Sequence, residues 1–405
     1  MNQFWDHCAM ADRIRLNFIK AERIACFDKI RIDFNPRYNL ICGTNGVGKT
    51  SLLLLASSCF NGAFQNQMVR RNTAASMPGE IVYQVQENDR IINAQGFVNN
   101  TDPAGGDQPY GQRSLANNVI FLNTNRDFQY HRLPHISPGE IRQEHMNNEF
   151  AQRGIQYNDI KNWFANRWLF EPRSDSWPPE YRKNLELSLK CFSLLDPTVS
   201  LSHVNVQTYD VMVNTRYGLV QYELLSSGFR ASLSLLLGII KEIEARSLGV
   251  AAEEFAGIII IDELDLHLHP VWQKNIPLAL QGTFPNAQII VTSHSPHMIQ
   301  SAKSDQVIAL VNFNGGFPRV SDLPHSDYGF QGWTIEEILE DVMGMEDTDS
   351  EIKKELFRSF EEALDDEDIA RLRSSLHAIE HMLHPRNNMR KLVRIQAAPV
   401  LGADK

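Results

Sequence analysis

Apolar positions in this chain fall into two kinds of pattern. Tyr38 to Cys42, Gly257 to Ile261 and Ala287 to Thr292 are short, nearly continuous apolar runs that predict strands. The four consecutive isoleucines Ile258–Ile261 suit a parallel strand covered on both faces. Ser51 to Ser58 and Ala231 to Ile243 are apolar stretches that predict helices. Ile81 to Phe97 reads instead as a hairpin, with Val- and Ile-containing strands on either side of a Glu87-Asn88-Asp89 turn. Val119 to Leu122 predicts a strand running into a polar loop that reaches Gln129. Asn99 to Arg113, rich in Gly, Pro, Asn and Asp, predicts an exposed loop.

Ile141 to Phe192 is mostly helical in pattern, broken near Pro172 and at Trp177-Pro178-Pro179. Its aromatics, Trp163-Phe164 and Trp168 to Phe170, suit helix-packing core better than a binding stripe. Further on, Thr334-Ile335-Glu336-Glu337 is a capping box opening a helix with Ile335, Ile338, Leu339 and Val342 on one face. Glu351 to Leu383 predicts two amphipathic helices joined by the solvated turn Asp365–Asp368. No heptad is sustained anywhere, which excludes a long coiled-coil arm.

Candidate chemistry sits at the ends of these elements. Between the strand at 38–42 and the helix at 51–58 lies Gly43, Thr44, Asn45, Gly46, Val47, Gly48, Lys49, Thr50, with Ser51 opening the helix. This is a Walker A phosphate loop in its strand–loop–helix setting. Glycines let successive N–H groups turn toward phosphate oxygens, and the helix adds the positive end of its dipole. Lys49 can reach the β- and γ-phosphates of ATP, and the Thr50 hydroxyl can ligate Mg²⁺. Downstream, the isoleucine strand ends in Asp262, placed to hold the metal, and Glu263, placed to polarise an attacking water. The next strand ends at Ser293-His294, where His294 can report a γ-phosphate. Ser226, Ser227 and Gly228 form a second anion-binding helix start, which implies phosphate supplied by another subunit.

Composition limits the setting. The 405 residues carry 43% hydrophobic and 22% charged positions, as in a globular protein with a sizeable core. No apolar run is long enough to span a bilayer, so no membrane role is expected. Cys8, Cys26, Cys42, Cys59 and Cys191 form no paired spacing, which points to a reducing, cytoplasmic location. A net charge of −10 argues against a broadly basic surface but permits a local groove.

In this order, the phosphate loop, Leu225–Gly228, Asp262-Glu263 and His294 resemble the ABC-type ATPase heads, in the group that contains SMC, RecF and OLD proteins. Asp262 to Pro270 is similar to the Walker B variant of prokaryotic AAA-type ABC ATPases, and not to transporter subunits. The resemblance implies an α/β head with a mainly parallel central sheet, an antiparallel N-terminal sub-sheet, a helical insertion and a helical C-terminal tail. It also implies a head-to-head dimer with ATP and Mg²⁺ held between one phosphate loop and the other subunit's Ser226–Gly228. Glu263 becomes the catalytic base, His294 the γ-phosphate switch, and Leu266–His269 the loop facing the partner. This chain departs from the pattern in having Ser227 where glycine is frequent and Phe229 where glutamine is common. For the glutamine that answers Mg²⁺, Gln129 is the candidate, with Asn123 and Asn125 as rivals.

The expected organisation is an N-terminal lobe over 12–135, a helical insertion over 136–200, a C-terminal lobe over 201–312 and a partner-binding tail over 313–405. That tail resembles bacterial phage-defence ATPases of the Septu type, which work beside a separate HNH nuclease. No strand-rich nuclease domain follows Leu310, so any cutting falls to a partner. The leading expectation is an ATPase, slow and switch-like, that controls a partner nuclease in antiphage defence. The alternative is a RecF-like repair ATPase with a basic DNA groove, to which Arg70, Arg71, Arg113, Arg126 and Arg132 would contribute. A transporter subunit is disfavoured by Leu264–Pro270 and by the long interval before Leu225. His267 and His269 on an extended segment, and His377, His381 and His384 at helical spacing, invite a metal, but interface and surface roles suit them better.

Overall fold

The computed structural model describes residues 12–60, 69–102, 111–127, 132–138, 142, 155–312, 316–345 and 349–402. They divide into two compact units, Met1–Gly344 and Met345–Lys405.

The larger unit is built on a six-stranded sheet in the order Arg319–Val320, Val307–Val311, Tyr38–Gly43, Gln288–Thr292, Ile258–Ile261, Val119–Leu122. All neighbours are parallel except the short edge strand Arg319–Val320. The isoleucine run is fully buried because each face of this sheet has its own core. Ile259 and Ile261 join one cluster, with Leu233, Leu236 and Ile240 of the long helix Ser227–Ala245. Ile258 and Ile260 join the other, with Leu52, Leu53 and Ala56 of the phosphate-loop helix Lys49–Ser58. The second cluster is closed by an antiparallel sheet of Phe27–Asp33, Ile14–Ile24, Gly79–Glu87 and Arg90–Val98. Its last two strands are the hairpin expected around Asn88.

The insertion contributes the helices Tyr157–Phe170 and Pro179–Leu195, and Trp163 and Phe164 are core residues. A buried polar knot ties it to the long helix. Glu244 accepts from Trp163 Nε1 at 2.7 Å, Arg167 Nε at 2.8 Å and Asn184 Nδ2 at 3.1 Å. Removing one side of a buried ion pair strands the other charge. Glu244→Ala is therefore expected to cost about 3–5 kcal/mol, read as a lowered thermal midpoint.

The two compact units part at Gly344/Met345, beyond the 312/313 boundary of the expected C-terminal lobe. Ile338, Val342 and Met343 belong to the larger unit's core, behind the Thr334 capping box. The smaller unit holds three helices, Glu351–Asp365, Ile369–Met382 and Met389–Gly402, around Phe360, Leu372, Ile379 and Val393. Asp368 caps the second, accepting from Ala370 N and Arg371 N at 3.1 Å each. His377 and His381 meet through their Nε2 atoms at 3.1 Å. Among the described residues, no three or more His, Cys, Asp or Glu side chains are grouped so as to hold a metal ion. Nor is any helix among them long and apolar enough to cross a membrane.

Candidate nucleotide site

Parallel strands bring their carboxyl ends to one edge of the sheet, the usual place for a ligand in an open α/β fold. Three of those ends carry the phosphate loop, the acidic pair Asp262-Glu263, and Ser293-His294. Gly43 and Gly48 adopt φ of 141° and 98°, and side chains fit at neither. A Cβ on Gly43 would lie 2.2 Å from Leu310 O, and one on Gly48 2.4 Å from Cys26 Sγ and 2.8 Å from Phe27 Cζ. The loop is thus pressed at its start against the strand Val307–Val311 and at its end against Cys26 and Phe27, while Asn45 and Gly46 stay exposed. Gly48→Ala is expected to weaken ATP binding about tenfold, since strain of 1–3 kcal/mol falls on the loop that must curl around phosphate. Titration with a fluorescent ATP analogue reads it.

Lys49 reaches back across the loop, donating from Nζ to Gly43 O and Thr44 O at 2.8 Å each. The Thr50 hydroxyl lies 3.0 Å from Asp262 Oδ2 and 3.2 Å from Oδ1. Thr292, at the end of the neighbouring strand, donates from Oγ1 to Asp262 Oδ1 at 2.6 Å. Two hydroxyls and a carboxylate are hard oxygen donors, and this set fits Mg²⁺ held beside a phosphate. Lys49 and the loop N–H groups fit the triphosphate itself.

Glu263 has a φ of 46°, a left-handed conformation uncommon for a side-chain-bearing residue. Its N–H donates to Thr292 Oγ1 at 2.7 Å. Arg126 Nη2 donates to Asp262 O at 2.7 Å, which sets this arginine beside the acidic pair. Burial pushes its pKa down to about 10, against the opposing pull of Asp262, Asp265 and Glu263. Sequence reasoning missed Thr292 and Arg126 as site residues. Their only signal was position, at or just beyond a strand end flanking the acidic strand. His294 is half-buried and held by its backbone N–H on Asp265 Oδ1 at 3.2 Å. Burial and then Lys49 lower its pKa, while Asp265, Glu263 and Asp262 oppose them. It therefore shares the electrostatic environment of the phosphate loop.

Ser226 caps the long helix, its Oγ accepting from Phe229 N at 3.4 Å, so the helix begins at Ser227 and not at the expected Ala231. Ser226 and Ser227 are exposed, while Gly228 is buried. A Cβ on Gly228 would meet Trp272 Cδ1 at 2.3 Å, and Phe229 packs edge-on to the same ring at 5.6 Å. Phe229 is thus a core residue. The segment holding His267 and His269 is a turn, not extended: Leu268 N donates to Asp265 O at 3.0 Å and His267 has a φ of 64°. The alternation that suggested paired ligands is absent there. Asn123 Oδ1 accepts from Asn125 N at 2.9 Å in a local polar turn, and Gln129 lies outside the described residues.

A family profile described as "AAA domain, putative AbiEii toxin, Type IV TA system" matches residues 39–299, which spans every element of this site. The Septu protein PtuA of Bacillus thuringiensis is 36% identical over 390 residues, covering 94% of this chain and 97% of that protein. A Septu protein PtuA of Bacillus mycoides is 25% identical over 314 residues, covering 73% of this chain and 40% of that protein. Among solved structures, an SMC head domain from Thermotoga maritima aligns with 76% of this chain and 99% of its own, at 14% identity and a TM-score of 0.43. With its phosphate loop, acidic pair and strand-end histidine on one sheet edge, the chain belongs to the AAA-domain ATPase family that includes the Septu protein PtuA.

Proposed function

We propose that this protein is an ATP-switched ATPase of bacterial antiphage defence, whose ATP-driven dimerisation controls a separate nuclease. The observation that carries the ATPase part is the cluster of Thr50, Asp262 and Thr292 within hydrogen-bond reach, beside Lys49 and Glu263. When bound, Mg²⁺ would neutralise charge on the β- and γ-phosphates. Thr50 and Asp262 are the residues to hold it, with Glu263 as base for the attacking water and His294 facing the γ-phosphate. The exposed Ser226 and Ser227, with Gly228 behind them, suit completion of the site by a second protomer.

The defence setting rests on the likeness to Septu PtuA along nearly the whole chain. The smaller helical unit supports the partner reading, because it adds a separate small core with no catalytic residue of the site in it. An HNH-type enzyme is the partner class proposed, and the cytoplasm its place. The ATPase is expected to turn over slowly, since the nucleotide serves as glue that holds a state.

The experiment is purification of tagged Glu263→Gln protein from its own host in the presence of ATP. A stoichiometric nuclease is the expected co-eluting species. DNA eluting without a protein partner would move the reading to a repair ATPase, and an integral membrane protein would move it to transport.

A further inference from the structure

The peptide bond between Asp262 and Glu263 is gripped at both ends. Its carbonyl oxygen accepts from Arg126 Nη2 at 2.7 Å, and its N–H donates to Thr292 Oγ1 at 2.7 Å. The residue it leads into, Glu263, sits at φ 46°, which an unsupported chain would leave. A left-handed side-chain-bearing residue persists only where its surroundings over-determine it. Here the acceptor, Thr292, ends the strand on one side of the acidic strand, and the donor, Arg126, lies just beyond the end of the strand on the other.

Arg126 is costly to keep in this place. Its Nε is shut away from solvent with no hydrogen-bond partner, an arrangement that proteins seldom retain without a use. The acids Asp262, Asp265 and Glu263 draw the guanidinium in, and its hydrogen bond goes to the main chain. Arg126 is also the first residue of a short strand, Arg126–Asp127, that pairs in parallel with Ile155–Gln156. The insertion helix Tyr157–Phe170 starts at the very next residue. The hold on the acidic pair is thereby joined through the backbone to the insertion.

We infer that Arg126 is a positioning residue for Glu263: by holding the Asp262 carbonyl it fixes the strained backbone that aims the base, and it links that aim to the helical insertion. This rests on Glu263 being the base proposed above. A shift of the insertion that withdraws Arg126 lets the peptide relax and turns hydrolysis off without releasing ATP. Displacement of a catalytic group by about 1 Å is enough for losses near a hundredfold.

The test separates turnover from binding. Arg126→Ala is expected to lower kcat by about 10- to 100-fold while the equilibrium affinity for ATP, titrated with a fluorescent analogue, stays within about threefold. Added to Glu263→Gln it should cause no further loss, as for two changes acting through one group. Arg126→Gln keeps an N–H for the carbonyl and discards the charge, so it should retain about a tenth or more of wild-type turnover. This variant decides the matter alone if the alanine protein does not fold. Wild-type turnover in Arg126→Ala beside an inactive Glu263→Gln overturns the positioning role and leaves the base in place. Parallel loss of ATP affinity, or Arg126→Gln as inactive as Glu263→Gln, overturns it in favour of a charge acting on the nucleotide. A fully active Glu263→Gln removes the base and this inference together.

Discussion

Lys49→Ala is expected to abolish ATP binding at any working concentration, a loss of at least about a hundredfold in affinity. The ammonium has two jobs, and alanine does neither. It is buried, and it binds both Gly43 O and Thr44 O, so it ties the start of the loop to its end. It also supplies the charge toward the phosphates. Burial lowers its pKa, while Cys42, Asp265, Glu263 and Asp262 raise it, so the carboxylates oppose the tendency to neutralise. Hydrogen bonds to charged groups contribute about 1.5–3 kcal/mol each, and about 2.7 kcal/mol is already a hundredfold. Without Lys49, Asp262, Glu263 and Asp265 also face the incoming phosphates with less positive charge to offset them. The measurement is titration with a fluorescent ATP analogue, paired with the thermal midpoint at saturating ATP. Wild-type protein should be stabilised by bound nucleotide and Lys49→Ala should not. An unchanged affinity would mean that the loop does not bind phosphate.

The elements that carry this site were legible because local sequence dictates them. A loop whose glycines must take φ of 98° and 141° advertises itself, since few other residues tolerate the conformation. Four isoleucines in a row announce a strand with two buried faces, and the two cores divide them alternately. The capping box at Thr334 was likewise readable, because Thr334 and Glu337 satisfy each other's backbone N–H groups. What escaped depends on register between distant strands. Arg126 meets Asp262 across 136 residues, and in sequence it was one more arginine after a strand. Thr292 ends an apolar run, where a threonine is unremarked until the neighbouring strand places Asp262 beside it. Trp272 lies under Gly228 from a separate helix, a packing that no local pattern encodes. The third tail helix, Met389–Gly402, was missed because its apolar face is thin and Pro399 interrupts the pattern.

Glu263→Gln is expected to lower hydrolysis by about 10²- to 10⁴-fold, the range for loss of a positioned general base, while ATP binding survives. Glutamine has nearly the same shape and can keep the N–H bond to Thr292, so the backbone at φ 46° has no cause to move. What it loses is the ability to take a proton from water. Affinity should if anything rise, because Asp262, Glu263 and Asp265 form one negative cluster near the metal site, and neutralising one member reduces repulsion of the triphosphate. If the second protomer's Ser226–Gly228 completes each site, bound ATP favours the closed dimer by its differential affinity for that state. With hydrolysis blocked, the closed state should persist for as long as ATP remains bound. Light scattering after gel filtration with ATP and Mg²⁺ measures this directly. Wild-type protein should decay to its ADP-bound distribution, whereas Glu263→Gln should stay assembled, and adding Ser226→Arg to the exposed helix start should return it to the smaller species. A variant that hydrolyses at the wild-type rate removes Glu263 as base. One that is inactive but never assembles keeps the base and discards the shared site, so the two halves of the proposal stand or fall separately.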